Sequence, residues 1–95
     1  MAAYLIADVD VQDPETYRTY SAQVPATIEQ FGGKFLVRGG ESRVLEGDWR
    51  PHRTVVLEFP DMETLDRWYN SEAYSAILGI RERAAVSSVF VVEGV

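Results

Sequence analysis

Hydrophobic and polar residues alternate in two stretches of this sequence, at residues 3–11 and 53–59. A period of two is typical of half-buried β-strands, so both stretches are predicted to be strands with one face on a core. Shorter apolar runs at residues 34–38 and 88–93 predict two more strands, and residues 42–46 could continue the first of these. The chain is therefore predicted to form a sheet of four strands.

A period of three to four residues follows the first strand and predicts an α-helix. Its apolar positions are Tyr17, Tyr20, Val24, Ile28 and Phe31. Asp13 before Pro14 is a typical helix start, because Asp caps free N–H groups and Pro fits the first turn. Gly32 and Gly33 predict the end of this helix, and Pro25 predicts a kink within it.

Two further helices are predicted between the third and fourth strands, one capped by Asp61 and ending at Asn70, and one capped by Ser71 and ending near Ala85. The elements then follow the order βαββαβ, which is that of the ferredoxin-like α+β fold. In this fold an antiparallel sheet carries its helices on one face. Ninety-five residues are about the length of one domain, so residues 1–95 are predicted to form a single domain.

The face of the sheet turned away from the helices is predicted to be too apolar for solvent. It would carry Ile6, Leu36 and Val56 beside polar residues such as Asp8 and Glu58. Large exposed apolar patches usually mark an interface. We therefore predict a homodimer in which two copies pack these faces together, giving a closed dimeric α+β barrel. The alternative is a monomer with a partly apolar open face.

Composition excludes several classes of site and partner. The chain has no cysteine, so disulfides, iron–sulfur clusters and thiolate metal sites are impossible. Its net charge of −6 argues against nucleic acid as a partner, since that binding depends on Lys and Arg neutralising phosphates. No apolar run is long enough to span a bilayer and the start lacks a basic leader. We therefore expect no membrane association and a cytoplasmic location.

Three arginines from different predicted elements, Arg38, Arg53 and Arg81, are candidates to bind an anion. A guanidinium fork binds carboxylate or phosphate with two hydrogen bonds, so the expected partner is a small anionic ligand. The alternative is internal pairing of these arginines with Glu46 or Glu58. Strict alternation along the second strand points Arg38 away from the helices, unless a bulge at the glycines that follow redirects it.

Aromatic side chains form a second candidate group for ligand binding, beside the arginines. They are Tyr20, Trp49, Trp68, Tyr69 and Tyr74. Hydroxyl and indole N–H groups near arginine would suit a planar, oxygenated ligand. For Trp68, at helical spacing with its neighbours, a place in the core is the alternative.

Candidates for acid–base chemistry are few. His52 could act as a general base, because the ordinary pKa of histidine is near neutrality, or it could be a solvated loop residue. Asp8 and Glu58 could exchange protons if a dimer interface buries them, or form salt bridges with Arg38. Asp8 and Asp10 lack a third ligand at suitable spacing, so no metal site is predicted. No phosphate-binding motif is complete, and no cofactor is predicted.

Several segments resemble a known family over nearly the whole chain. They are GGKFLVRGG, LEGDWRP followed by Arg53, VVLEFP, and WYNSEAY followed by IRERA. On these segments the chain resembles domain-of-unknown-function family 1330, of the dimeric α+β barrel superfamily. The resemblance implies a ferredoxin-like fold and a homodimer. It implies no catalytic residues.

Two kinds of function stay open for this sequence. One is a cofactorless enzyme of the monooxygenase, isomerase or lyase type that acts on a small anionic or aromatic substrate; this rests on the superfamily resemblance. The other is a non-catalytic ligand-binding or structural dimeric module. An arginine without a carboxylate partner, beside a cavity, would favour the ligand-binding functions over a purely structural one.

Overall fold

Four strands and four helices make up the fold in a computed structural model that describes residues 1–95. In chain order they are β1 (Ala3–Val11), α1 (Pro14–Ser21), α2 (Val24–Glu29), β2 (Lys34–Arg38), β3 (Thr54–Phe59), α3 (Met62–Tyr69), α4 (Glu72–Ala84) and β4 (Ala85–Glu93). The strands form one sheet in the order β2-β3-β1-β4, and every neighbouring pair is antiparallel. The helices cover one face, which confirms the predicted ferredoxin-like α+β fold.

Three helices begin at the capping residues that the sequence indicated. Asp13 accepts a hydrogen bond from the backbone N–H of Thr16, and Asp61 accepts one from Thr64. The hydroxyl of Ser71 accepts the N–H of Tyr74 at the start of α4. Each cap satisfies a backbone donor that the first turn of a helix leaves free, so the sequence itself fixes these starts.

The kinked helix predicted over residues 14–31 is instead two helices, α1 and α2, separated at Ala22 and Gln23. Pro25 explains the break, because it has no N–H to donate to the carbonyl of Ser21. Two other boundaries also differ from the prediction. Residues 42–46 form no strand, and β4 begins at Ala85, directly after α4.

The core lies between the helices and the inner face of the sheet. The alternate residues of β1 are buried from Ala3 to Val9, and Leu57 and Phe59 of β3 extend the same layer. From the helices, Trp68 packs its ring 5.2 Å from that of Phe59. Its indole N–H donates to Thr27 over 3.0 Å, so this large side chain is buried with its polar atom satisfied.

The outer face of the sheet has an apolar row that crosses all four strands. Val37 pairs with Val56, Val56 with Ile6, and Ile6 with Phe90. Phe90 is 56% exposed and Val37 39% exposed, while Ile6 and Val56 are half-buried. This row has no cover within the chain.

None of the four helices is both long enough and apolar enough to cross a membrane.

Candidate functional site

A cavity lies between the sheet and the helices and is partly open to solvent. It encloses about 540 Å³ of space, with the open solvent at its mouth included. Its floor is formed by apolar side chains of β1 and β3, and its roof by α1, α3 and α4. The lining residues are Leu5, Ala7, Val9, Tyr17, Tyr20, Ser21, Val24, Phe35, Arg38, Arg53, Val55, Leu57, Trp68, Tyr69, Tyr74, Arg81 and Val89.

Seven of the eight residues predicted to bind a ligand line this cavity. They are Tyr20, Arg38, Arg53, Trp68, Tyr69, Tyr74 and Arg81. Trp49 does not, because its loop folds against the opposite face of the sheet, where its indole N–H donates to Asp8. The structure thus brings together the predicted arginines and most of the predicted aromatic residues.

Arg38 reaches the cavity because β2 contains a bulge. Phe35 pairs with Leu57 and Val37 pairs with Val56, so Leu36 is an extra residue with no partner. An extra residue shifts the alternation of side chains by one position. The prediction that Arg38 and Leu36 share the outer face, with Val37 facing the helices, is therefore wrong. Val37 lies on the outer face, and Arg38 follows Phe35 on the helix side.

The side chain of Arg38 is held by the break between α1 and α2. Since Pro25 cannot donate to the carbonyl of Ser21, that oxygen is free, and Arg38 Nη2 donates to it over 2.6 Å. The guanidinium carbon also lies 4.5 Å above the ring centre of Phe35. These contacts use one N–H of the fork. The remaining donors of Arg38 have no protein acceptor within hydrogen-bond distance.

Arg53 enters the same region from the start of β3. Its guanidinium carbon lies 5.8 Å from the ring centre of Tyr17, and its buried Nε–H has no hydrogen-bond partner. Gly39, with φ +69, lies directly against this guanidinium, so a side chain at residue 39 would collide with it. The absence of a side chain at Gly39 therefore leaves the space that the guanidinium of Arg53 occupies.

Arg81 comes from α4 and lies beside two tyrosines. Its guanidinium carbon is 5.9 Å from the ring centre of Tyr20, whose hydroxyl is 2.8 Å from that of Tyr74. Burial, together with the hydroxyl of Tyr74, raises the pKa of Tyr20 well above its usual value, so Tyr20 stays protonated. Of the two hydroxyl hydrogens, one serves the bond between the tyrosines and the other has no protein acceptor.

All three arginines meet at one turn of α1. Arg53 lies over Tyr17, Arg81 over Tyr20, and Arg38 binds the carbonyl of Ser21. No carboxylate oxygen lies within 4.0 Å of any of the three guanidinium groups. The internal pairing with Glu46 or Glu58 that was the alternative does not occur. The cavity therefore contains three cations, and none of them is neutralised by the chain.

The acid–base candidates lie on the other side of the sheet. Asp8 accepts the backbone N–H of His52 over 2.7 Å, and the imidazole of His52 lies 3.6 Å from both Asp8 and Asp10. Glu58 pairs with Lys34 over 3.3 Å. The expected salt bridges of Asp8 and Glu58 with Arg38 are therefore wrong, because the bulge turns Arg38 away. No three His, Asp or Glu side chains are grouped so as to hold a metal ion.

Two contributors to the cavity, Tyr17 and Ser21, are not among the residues predicted to bind a ligand. Tyr17 belongs to the helical stripe that predicts α1, and its ring also faces the guanidinium of Arg53. Ser21 could have been found from Pro25, four residues later, because a proline at that spacing always leaves a carbonyl without its helical donor. The partner of that carbonyl could not be inferred without the fold.

A family model of a domain of unknown function (DUF1330) matches residues 2–95. The chain belongs to this family. No curated protein matches the sequence. Among solved structures, a protein of unknown function from Rhodopseudomonas palustris has a similar fold, with 18% sequence identity and a TM-score of 0.80. That alignment covers 99% of this chain and 82% of that one.

Two more distant structures are similar in fold. SnoaB, a cofactor-independent oxygenase from Streptomyces nogalater, is 12% identical with a TM-score of 0.66, and HapK from Hahella chejuensis is 15% identical with a TM-score of 0.66. Each alignment covers 98% of this chain and 92% of the other. These likenesses confirm the ferredoxin-like fold from which dimeric α+β barrels are built.

Proposed function

We propose that this protein is a homodimer whose cavity between helices and sheet binds a small anionic ligand. The observation that carries the proposal is the meeting of three arginines at one turn of α1 without a carboxylate partner. Arg53 and Arg81 are half-buried, and a partly buried cation is costly unless an anion or water meets it. Arg38 is more exposed, and a ligand anion in the cavity would meet its unused donors as well.

The hydrogen-bonding groups of the cavity support the same ligand. Arginine has donors and no acceptor, and the spare hydroxyl hydrogen of the Tyr20–Tyr74 pair adds one more donor. No Asp, Glu or His lines the cavity. A ligand that matches this surplus of donors presents oxygen atoms that only accept, as carboxylates and phosphates do.

The homodimer is supported by the apolar row on the outer face of the sheet. Val37, Val56, Ile6 and Phe90 form a continuous strip with no cover inside the chain. Packing this face on the same face of a second copy buries the strip in both copies at once, as a two-fold interface does. The cavities then lie outside the joined sheets, one in each subunit.

An enzymatic function is a second candidate, favoured by the cluster of Tyr20, Tyr74 and Arg81. Buried hydroxyl and guanidinium donors can stabilise negative charge that develops on a substrate oxygen. The fold is shared with a cofactor-independent oxygenase, which supports a cofactorless reaction by analogy of fold alone. His52, Asp8 and Glu58 lie on the outer face and do not line this cavity. We therefore place no acid–base role for a cavity ligand on them.

Isothermal titration with phosphate and with acetate tests the proposal. We expect binding to the wild-type protein and a loss of about tenfold or more in Arg38→Met, the size of a lost charged hydrogen bond. Arg43→Met is the matched control, because Arg43 is exposed and does not line the cavity. The proposal is wrong if the wild-type protein binds neither anion at millimolar concentration, or if both variants bind like the wild type.

A further inference from the structure

The cavity changes from cationic to apolar along its length. Arg53 lies level with Val9 of β1, whose N–H donates to the carbonyl of Arg53. Two residues further along β3, Val55 pairs with Arg38. Two residues beyond that, Leu57 pairs with Phe35. From the level of Val9 to that of Leu5, four residues along β1, is about 13 Å. On the floor, the arginines therefore enter the cavity at the levels of Val9 and Val55, and the guanidinium of Arg38 reaches as far as the ring of Phe35.

The roof of the cavity has the same polarity as the floor. A row of aromatic rings, the aromatic wall, runs from the arginines to the apolar end. Its members are Tyr17, Tyr20, Tyr74 and Trp68, with ring centres 5.6, 6.2 and 4.2 Å apart in that order. At the far end, the N–H of Trp68 is already used by Thr27. The ring of Tyr69 also packs on Trp68, with ring centres 6.0 Å apart. That end of the cavity thus offers mostly ring surfaces and aliphatic groups, and its polar atoms are tyrosine hydroxyls and no charged group.

We propose that the ligand is an amphiphilic anion, with one oxyanion group held at the arginines and a flat apolar body along the aromatic wall. This inference rests on the proposed function, that the cavity binds an anion. The arginines require a carboxylate-like head, because all three line the cavity without a carboxylate partner. The body should be uncharged, because a second charge near Trp68 would lose its hydration and meet no cation. Benzoate, a carboxylate on a single flat ring, is a small probe that has both parts.

A small series of probes separates head from body. Benzoate supplies both, acetate supplies the head alone, and benzamide is nearly the same shape without the charge. Terephthalate adds a second carboxylate at the position that would lie against Trp68. Phenylphosphonate carries the other type of oxyanion head on the same body, and so shows which head the arginines prefer. Affinities are measured by titration of the wild-type protein.

The two tryptophans provide an internal control for where each probe binds. Trp68 belongs to the aromatic wall, whereas Trp49 lies on the outer face beside Asp8. In a ¹H–¹⁵N correlation spectrum each gives one indole signal, and the spectrum of Trp49→Phe assigns them. A probe in the cavity shifts the Trp68 signal and leaves the Trp49 signal in place.

We expect benzoate or phenylphosphonate to bind at least about tenfold more tightly than acetate, since a buried ring adds apolar contact. Benzamide and terephthalate should each bind at least about tenfold more weakly than benzoate. Tyr69→Ser should weaken benzoate and leave acetate unchanged; Tyr69 lines the cavity and is 37% exposed, so the fold should tolerate its loss.

Two results would overturn the inference and leave the proposed function standing. One is acetate and phosphate binding that depends on Arg38 while benzoate binds no more tightly than acetate. The other is terephthalate binding as well as benzoate. A wild-type protein that binds no anion at all would overturn the inference together with the proposed function. A benzoate-induced shift of the Trp49 signal alone would place the ligand elsewhere and would also overturn the inference.

Discussion

Gly39 occupies the one position of the β2–β3 connection where a side chain would strike Arg53. Its φ of +69 is costly for other residues, and a Cβ atom at this position would overlap the guanidinium group. The neighbouring Gly40 has open space around it and no positive φ. These two glycines, adjacent in sequence, are therefore expected to differ in their tolerance of a methyl group.

We expect Gly39→Ala to lower the free energy of unfolding by about 1–2 kcal/mol, the cost of a left-handed conformation for alanine. The added methyl group should also displace Arg53 and weaken anion binding. Chemical denaturation and phosphate titration measure the two effects, with Gly40→Ala as the control. Equal stability and equal affinity in the two variants would show that Gly39 does not position Arg53.

Leu57 marks the centre of the inner face of the sheet, where only 3% of its surface is exposed. Truncation of a buried leucine removes apolar contacts and leaves a void. We expect Leu57→Ala to lower the free energy of unfolding by about 2–5 kcal/mol in chemical denaturation. A change below about 0.5 kcal/mol, the size usual for surface substitutions, would contradict the inward orientation of this side chain.

The orientation of single residues was predictable where the pattern is regular and failed at one irregular position. In β1 and β3 the alternation of apolar residues predicted the buried set correctly, because these two strands pair with each other in an uninterrupted register. In β2 the bulge at Leu36 reversed the sides of Val37 and Arg38. Leu36 is an ordinary strand residue, so nothing in five residues of sequence marks it as the extra one.

The loop between β2 and β3 is attached to the sheet by Asp8. This carboxylate accepts the backbone N–H of His52 and, over 3.3 Å, the indole N–H of Trp49. The hydrogen bond from His52, followed by that from Trp49, holds the pKa of Asp8 below its usual range despite partial burial. The folded state thus favours the ionised carboxylate.

Because the folded pKa of Asp8 is lowered, its stabilising contribution is present above the ordinary value of about 4. It is lost as the pH falls through the lowered value. We expect Asp8→Asn to be less stable than the wild type at pH 7, with the difference in melting temperature closing below about pH 4. Asp48→Asn, in the same loop, is the control and should match the wild type throughout. A difference that persists unchanged at pH 2 would contradict this role.

At the scale of elements, the starts of helices were predictable and their interruptions less so. Asp13, Asp61 and Ser71 are capping residues, and each caps a helix in the structure. Pro25 signalled an irregularity, but the pattern of apolar residues continues through it, so a kink and a full break look alike in sequence. The break leaves the carbonyl of Ser21 free, and this oxygen accepts a hydrogen bond from Arg38. Because the two residues are 17 positions apart, the local pattern around Pro25 does not indicate this contact.

For the whole molecule, the apolar row on the outer face determines the expected assembly. Sedimentation equilibrium at micromolar concentration should give twice the chain mass of 10.7 kDa. Phe90→Glu places a charge at the β4 end of the apolar row, within the proposed interface, and should shift the mass to that of one chain. Leu45→Glu is the control, because Leu45 is 81% exposed on the loop away from this row. A wild-type mass of 10.7 kDa would contradict the dimer.

The composition and order of elements were enough to predict the architecture, because βαββαβ admits few arrangements of an antiparallel sheet. The cavity was only partly predictable. Its arginines and aromatic residues are conspicuous in the sequence, but their meeting at one turn of α1 depends on the bulge, on Pro25 and on Gly39 together. Each of these is a local irregularity whose effect appears only once the strands are paired.

A crystal structure of the protein grown with benzoate tests the central claim most directly, because it shows both the anion and its partners. We expect density for benzoate in the cavity, its carboxylate oxygens within about 3 Å of the donors of Arg38 or Arg53, and its ring against the aromatic wall. The account is contradicted if the cavity is filled by protein side chains, or if the three arginines are each paired with a carboxylate of the protein.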